Sequence, residues 1–202
     1  YFFKYDFLIM ESFIFTLFCF YIFQNTINFT DGINGVALTI AICINLILLY
    51  YNQDKFFSLQ IIFILNILFF SLIMNLNNKL FLGDAGVNII SFITAINIVT
   101  IYSQENSGLT QEKVFLYLLL PGLDLIRLVI ERISNKISPT KKDSNHLHHL
   151  LFIKIGQYKT LLIYILIMGI IFFFCEILKF EIFIVTVLLT ITYIAILKKF
   201  KI

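Results

Sequence analysis

Long apolar runs restrict this sequence more than any other feature. Stretches of about 17 to 20 residues lie near 7–23, 33–51, 56–74, 86–102, 114–131, 160–178 and 181–197, each long enough to cross a hydrocarbon core of roughly 30 Å as a helix. Inside lipid only helices or closed barrels satisfy every backbone polar group, and runs this long and uniform fit helices. Composition agrees, since 60% of the 202 residues are hydrophobic and 13% charged, with a mean hydropathy of +0.95. Soluble domains are roughly half apolar and a quarter charged. The expected fold is all-α, a polytopic integral membrane protein with about seven transmembrane helices, forming a single domain over 1–202. A net charge of +3 gives no reason to expect nucleic acid. Cys19, Cys43 and Cys175 each sit in an apolar run without CxxC spacing and read as small buried hydrophobes.

The charges orient the crossings. All but four of the fifteen Lys and Arg residues fall on one side, the exceptions being Lys4, Lys55, Lys113 and Lys179. By the positive-inside rule the rich side is cytoplasmic, with the last residue inside. Three polar islands then share that side, in loops expected near 24–34, 76–86 and 132–158. A common face supports one composite site.

The first island reads NTINFTDGINGV, in which the glycines allow tight turns or close approach to a ligand. Asn28, Asp31 and Asn34 recur at a spacing that would face one way on a helix, though DG and NG are also ordinary turn pairs. The second, FLGDAGVN, holds Asp84 between two glycines at the junction of two runs. A carboxylate there either binds a cation, with Mg²⁺ expected from its preference for carboxylate and phosphate oxygens, or caps the next helix. The third contains SPTKKDSNHLHHLL, and His146, His148 and His149 are the only histidines of the chain. Imidazoles so clustered can donate several hydrogen bonds to a phosphate. Before them, PGLDLIRLVIERI puts Asp124, Arg127 and Glu131 on one helix face, which reads as an ion-pair ladder below a kink at Pro121. Arg132 is the better diphosphate ligand of the two arginines.

The order N-x-x-D-G-x-N-G, F-L-G-D-A-G, P-G-L-D-x-x-R and K-x-S-P-x-x-x-D-x-N-H-L-H-H-L-L resembles the polyprenyl-phosphate N-acetylhexosamine-1-phosphate transferases, over about residues 25–156. The H-x-H-H form is similar to the branch that uses UDP-GlcNAc or related UDP-N-acetylamino sugars. The resemblance implies transfer of the sugar phosphate to undecaprenyl phosphate with release of UMP, in a bacterial plasma membrane, dependent on Mg²⁺ with Mn²⁺ as a substitute. It implies Asp31, Asp84 and His148 as catalytic residues, Asp84 as the metal ligand, and Asn28, Asn34, Arg132, His146 and His149 as substrate-binding residues. The implied partners are the undecaprenyl phosphate lipid, the UDP-sugar and the membrane, with no nucleic acid, and a homodimer is allowed. The implied pathway is the start of a cell-envelope polysaccharide such as an O-antigen.

The chain departs from the family pattern at three points. Asn34 stands where many relatives have a second Asp, and Val87 replaces a small hydroxyl residue. An Asp-Asp pair is expected a few dozen residues before Asp31, and neither Asp6 nor Glu11 forms one. With Tyr1 rather than Met in first place, the expectation is the C-terminal part of a longer chain, inactive alone. Two rival readings are a secondary transporter coupling through Asp124 and Asp84, and a truncated non-catalytic homologue.

Overall fold

A computed structural model of the chain describes residues 17, 20, 21, 23–136, 138 and 145–200. Most of the first expected crossing, and the whole KKDS stretch before the histidines, lie outside the described residues. Helices follow one another without a strand among the described residues. They are α1 (ending over 23–28), α2 (Val36–Tyr51), α3 (Lys55–Leu76), α4 (Gly83–Tyr102), α5 (Gln111–Ser134), α6 (Leu147–Ile155), α7 (Gln157–Phe172) and α8 (Ile182–Phe200). A π-helical turn, Phe173–Ile177, extends α7.

The chain is a helical membrane protein. Helix α3, α4, the α7 extension to Ile177 and α8 are each long and apolar enough to cross a bilayer. Helix α2 is apolar but only 16 residues long, and α5 is interrupted by Asp124, Arg127 and Glu131. Six of the seven expected runs therefore stand as helices, while the number of crossings remains an expectation.

Local chemistry sets the helix ends. The Asp54 carboxylate accepts from the Phe56 N–H (2.7 Å) and starts α3, and the Thr110 hydroxyl accepts from the Lys113 N–H (3.4 Å) at the start of α5. Helix α5 continues through Pro121, whose missing N–H removes one rung from its ladder.

Helix α2 is the hub, packed against α3, α4 and α7 and buried along most of its length. Its contact with α4 carries a polar lock. Asn45, fully buried, donates to the Thr94 hydroxyl (3.0 Å) and accepts from the Asn97 amide (2.8 Å). Such bonds replace the water that lipid lacks and are worth about 1 kcal/mol each. The outside is inverted relative to a soluble protein, since Phe63, Phe70 and Phe183 are all more than 60% exposed, as lipid-facing side chains should be. Cys175 is buried and Cys43 half-buried, both free thiols that pack as hydrophobes.

The ends of the bundle differ in character. At one, Gln104 receives the Gln53 N–H and donates to Asn52, and Glu176 of the π turn pairs with Lys113 (2.9 Å) and accepts from Tyr51. At the other, the three polar islands meet.

Candidate functional site

The first island is a turn, not a helix. Helix α1 stops at Asn28, and backbone N–H groups of Phe29, Thr30 and Asp31 fold back onto the carbonyls of Asn25, Ile27 and Asn28. The expectation that Asn28, Asp31 and Asn34 share a helical face is thereby corrected, because the helical period ends before two of them. Gly35, at φ +91°, makes the reversal into α2, hemmed by Leu72, Leu76 and Leu161. Asn34 ties loops together, since its amide donates to Asn78 Oδ1 (2.8 Å) and its carbonyl accepts from Gln157 (2.9 Å).

Gly32 is where the first and third islands touch. A Cβ there would lie 2.3 Å from His149 Nε2 and 2.6 Å from His148 Nε2, so only a residue without a side chain lets both imidazoles approach this turn. The second island joins through Asp31. Its carboxyl is pushed up to about 6 by burial first and by the nearby negative charge of Asp84 second. Asp84 is exposed in the first turn of α4, where the helix's positive end favours an anion. It does not cap the helix: Leu82 holds that position, and no side-chain cap bond is made.

The histidines are held from α5. Leu147 N–H and His146 Nδ1 approach Asp124 Oδ2 at 3.0 and 3.1 Å, while Arg127 Nη2 and the Tyr193 hydroxyl donate to Oδ1 at 2.8 and 3.1 Å. Arg127 also bonds Glu131 (2.9 Å) and the Asn145 carbonyl (2.6 Å). The ladder read from the sequence is present, and it reaches further than expected, into the histidine segment and α8. Arg127 is thus tied to the histidine segment, and Arg132 lies buried in the last turn of α5.

His148 is 1% exposed, and its Nε2 has no hydrogen-bond partner among the described residues. Burial first, then the neighbouring His149 and His146, pushes its pKa down to about 3, so the ring is neutral. It stacks on His146 at 5.3 Å and lies 4.5 Å from His149, and Phe29 stacks on His146 at 5.8 Å.

Two groups have the donors for a cation. Asp124, His146 and His148 bring ligand atoms within 4.8 Å of one another, but four donors already occupy both oxygens of Asp124. The second group is Asp31 with Asp84, whose charge acts on Asp31, and carboxylate oxygens suit Mg²⁺. Asp124 and Arg127, which read from the sequence as part of an ion-pair ladder, also hold the histidine segment.

Two outcomes follow from this geometry. Gly32→Ala should displace the imidazoles, costing about 1–3 kcal/mol by overpacking and raising histidine reactivity toward diethylpyrocarbonate. Gly122→Ala, where an added Cβ meets nothing within 4 Å, is the control and should not destabilise. For Asp31, the folded protein keeps a proton that the unfolded chain releases near 3.8. In a metal-free buffer, stability should therefore fall as pH rises from about 4 through about 6, and Asp31→Asn should flatten that limb in a thermal unfolding series.

Comparisons with known proteins place the chain in a family. The family model described as glycosyl transferase family 4 matches residues 2–102, which include the first two islands. A relative, the undecaprenyl-phosphate alpha-N-acetylglucosaminyl 1-phosphate transferase of Yersinia pestis, is 29% identical over 150 residues, 69% of this chain and 40% of its own length. The chain thus spans about two fifths of that curated relative. No solved structure matches. A family model matched over half of the residues decides the affiliation, and this chain belongs to glycosyl transferase family 4.

Proposed function

We propose that the whole protein transfers an N-acetylhexosamine-1-phosphate from a UDP-sugar, UDP-GlcNAc or a related UDP-N-acetylamino sugar, to undecaprenyl phosphate. A phosphate oxygen of the lipid attacks the sugar-bearing β-phosphorus. The bond from that phosphorus to the bridging oxygen breaks, and UMP leaves with the electron pair. The observation that carries this reading is the meeting of the Asp31 and Asp84 loops with the histidine segment at one end of a membrane bundle. One substrate is a lipid and the other soluble, and a site at the end of such a bundle is open to both.

Each residue has a part in this reading. Asp84, with Asp31 beside it, would hold Mg²⁺ or Mn²⁺, and the bound ion would offset the negative charge of the diphosphate. His148, kept neutral by burial, offers its unpartnered Nε2 as a hydrogen-bonding group rather than a charge. His146 and His149 bind the donor's phosphates or sugar, with Asn28 and Arg132 at the margin. Asn34 contributes by holding the first loop against the second. The island end faces the cytoplasm, as does the C-terminus, and the reaction starts a cell-envelope polysaccharide of a bacterium.

The test is UMP release by membranes carrying the full-length protein, given undecaprenyl phosphate, Mg²⁺ and a panel of UDP-N-acetylamino sugars. Lipid-dependent release is expected, and Asp84→Asn should lower it by at least about 100-fold without affecting insertion, as expected when a charge aimed at the transferred group is lost. Full activity in Asp84→Asn would remove Asp84 from the metal site, and no release with any sugar would count against the transfer itself.

A further inference from the structure

We propose that Asp124 and Tyr193 are positioning residues for His146, the buried carboxylate of α5 fixing the ring's tautomer and starting α6 while the hydroxyl of α8 steadies that carboxylate. What the ring does rests on the transfer reading above; how it is held rests on the contacts alone. His146 occupies the N-cap of α6, yet its own side chain makes no cap bond. Asp124, 22 residues earlier in the chain, supplies the acceptor instead, taking the Leu147 N–H at 3.0 Å. A capping oxygen is usually local. Here it comes from a neighbouring helix, so the helix that carries His148 and His149 begins where α5 dictates.

The same oxygen sets the chemistry of the ring. A carboxylate paired with a guanidinium carries no proton, so His146 Nδ1, 3.1 Å away, is the donor. Nε2 is then the nitrogen left for a ligand. On its other oxygen Asp124 accepts from Arg127 and from Tyr193, which holds the carboxylate in one orientation. Asp124 is 4% exposed and Tyr193 5%, so neither is displayed to a soluble substrate; their influence passes through His146. Tyr193 also lies far beyond the residues that the family model matches.

The experiment uses the full-length protein in lipid nanodiscs with ¹⁵N-labelled histidine, the His146 signals identified by their loss in His146→Gln. We expect the Nδ1–H tautomer at His146 in the unaltered protein. In Asp124→Asn, which has one acceptor oxygen for four donors, that tautomer should give way to Nε2–H. An Nε2–H ring in the unaltered protein, or the same tautomer in both, would overturn the proposal. Tyr193→Phe is the gentler variant should Asp124→Asn fail to fold. Loss of the hydroxyl, which donates to Asp124 (3.1 Å) and accepts from Arg127 Nε (3.0 Å), should lower kcat about tenfold with KM for the UDP-sugar within about twofold. In a His146→Gln background the same change should cost no more than about twofold, since residues acting through one group do not add. Additive losses would count against action through His146. A full-length protein that transfers nothing would end the transfer reading, while the tautomer comparison would still decide whether Asp124 sets the ring.

Discussion

Hydrocarbon cannot hydrogen-bond a peptide group, and the rest of this structure follows from that constraint. Each apolar run must close its own backbone ladder as a helix, so residues able to do chemistry concentrate at helix ends and in the connections. Because successive helices reverse direction, connections separated by two helices return to the same end of the bundle. Residues 29–35, 77–82 and 145–149 meet there for that reason, as the approach of His148 and His149 to Gly32 and the Asn34–Asn78 bond record. Asn45, Thr94 and Asn97, polar groups that stay among the helices, are paired with one another.

The two halves of the site solve opposite electrostatic problems. Asp124 is deeply buried, and its charge is tolerable because Arg127, Tyr193, His146 and the Leu147 amide all donate to it. Arg127 supplies the opposite charge, and the three other donors fill the remaining acceptor sites. Asp31 and Asp84 have no such provision in the contacts described, and burial first, with the charge of Asp84 second, raises Asp31. A satisfied carboxylate is suited to holding a structure, and a repelled pair to capturing a cation. The transporter reading, which needs Asp124 to bind and release an ion, fits poorly with four standing donors.

Much of this was legible in the sequence because hydropathy acts over whole segments. Six runs became helices near their expected bounds, and the three islands came to one end as their alternation required. The details that escaped depend on single contacts. Asn34 fell on a helical spacing with Asn28 and Asp31, but the helix stops at Asn28 and Asn34 became a loop tie. The cap that was the alternative reading of Asp84 is not formed, since α4 begins one residue earlier, at Gly83. Arg132 reads from the sequence as the better diphosphate ligand, whereas the contact visible at the histidine segment is that of Arg127 with the Asn145 carbonyl, and Arg132 is buried. The bond from Tyr193 to Asp124 spans 69 residues, and no local pattern announces a partnership at that range.

On the proposed reading the acidic loops and the histidine segment form one site. Its most direct measurement places Mn²⁺ in the full-length protein instead of Mg²⁺ and follows the ¹⁵N-histidine resonances in nanodiscs. A paramagnetic ion held at Asp84 and Asp31 should broaden His146, His148 and His149 selectively, and Asp84→Asn should restore the sharp signals. Sharp histidine signals at Mn²⁺ concentrations that support transfer, or broadening that persists in Asp84→Asn, would contradict the account and separate the metal from the histidines.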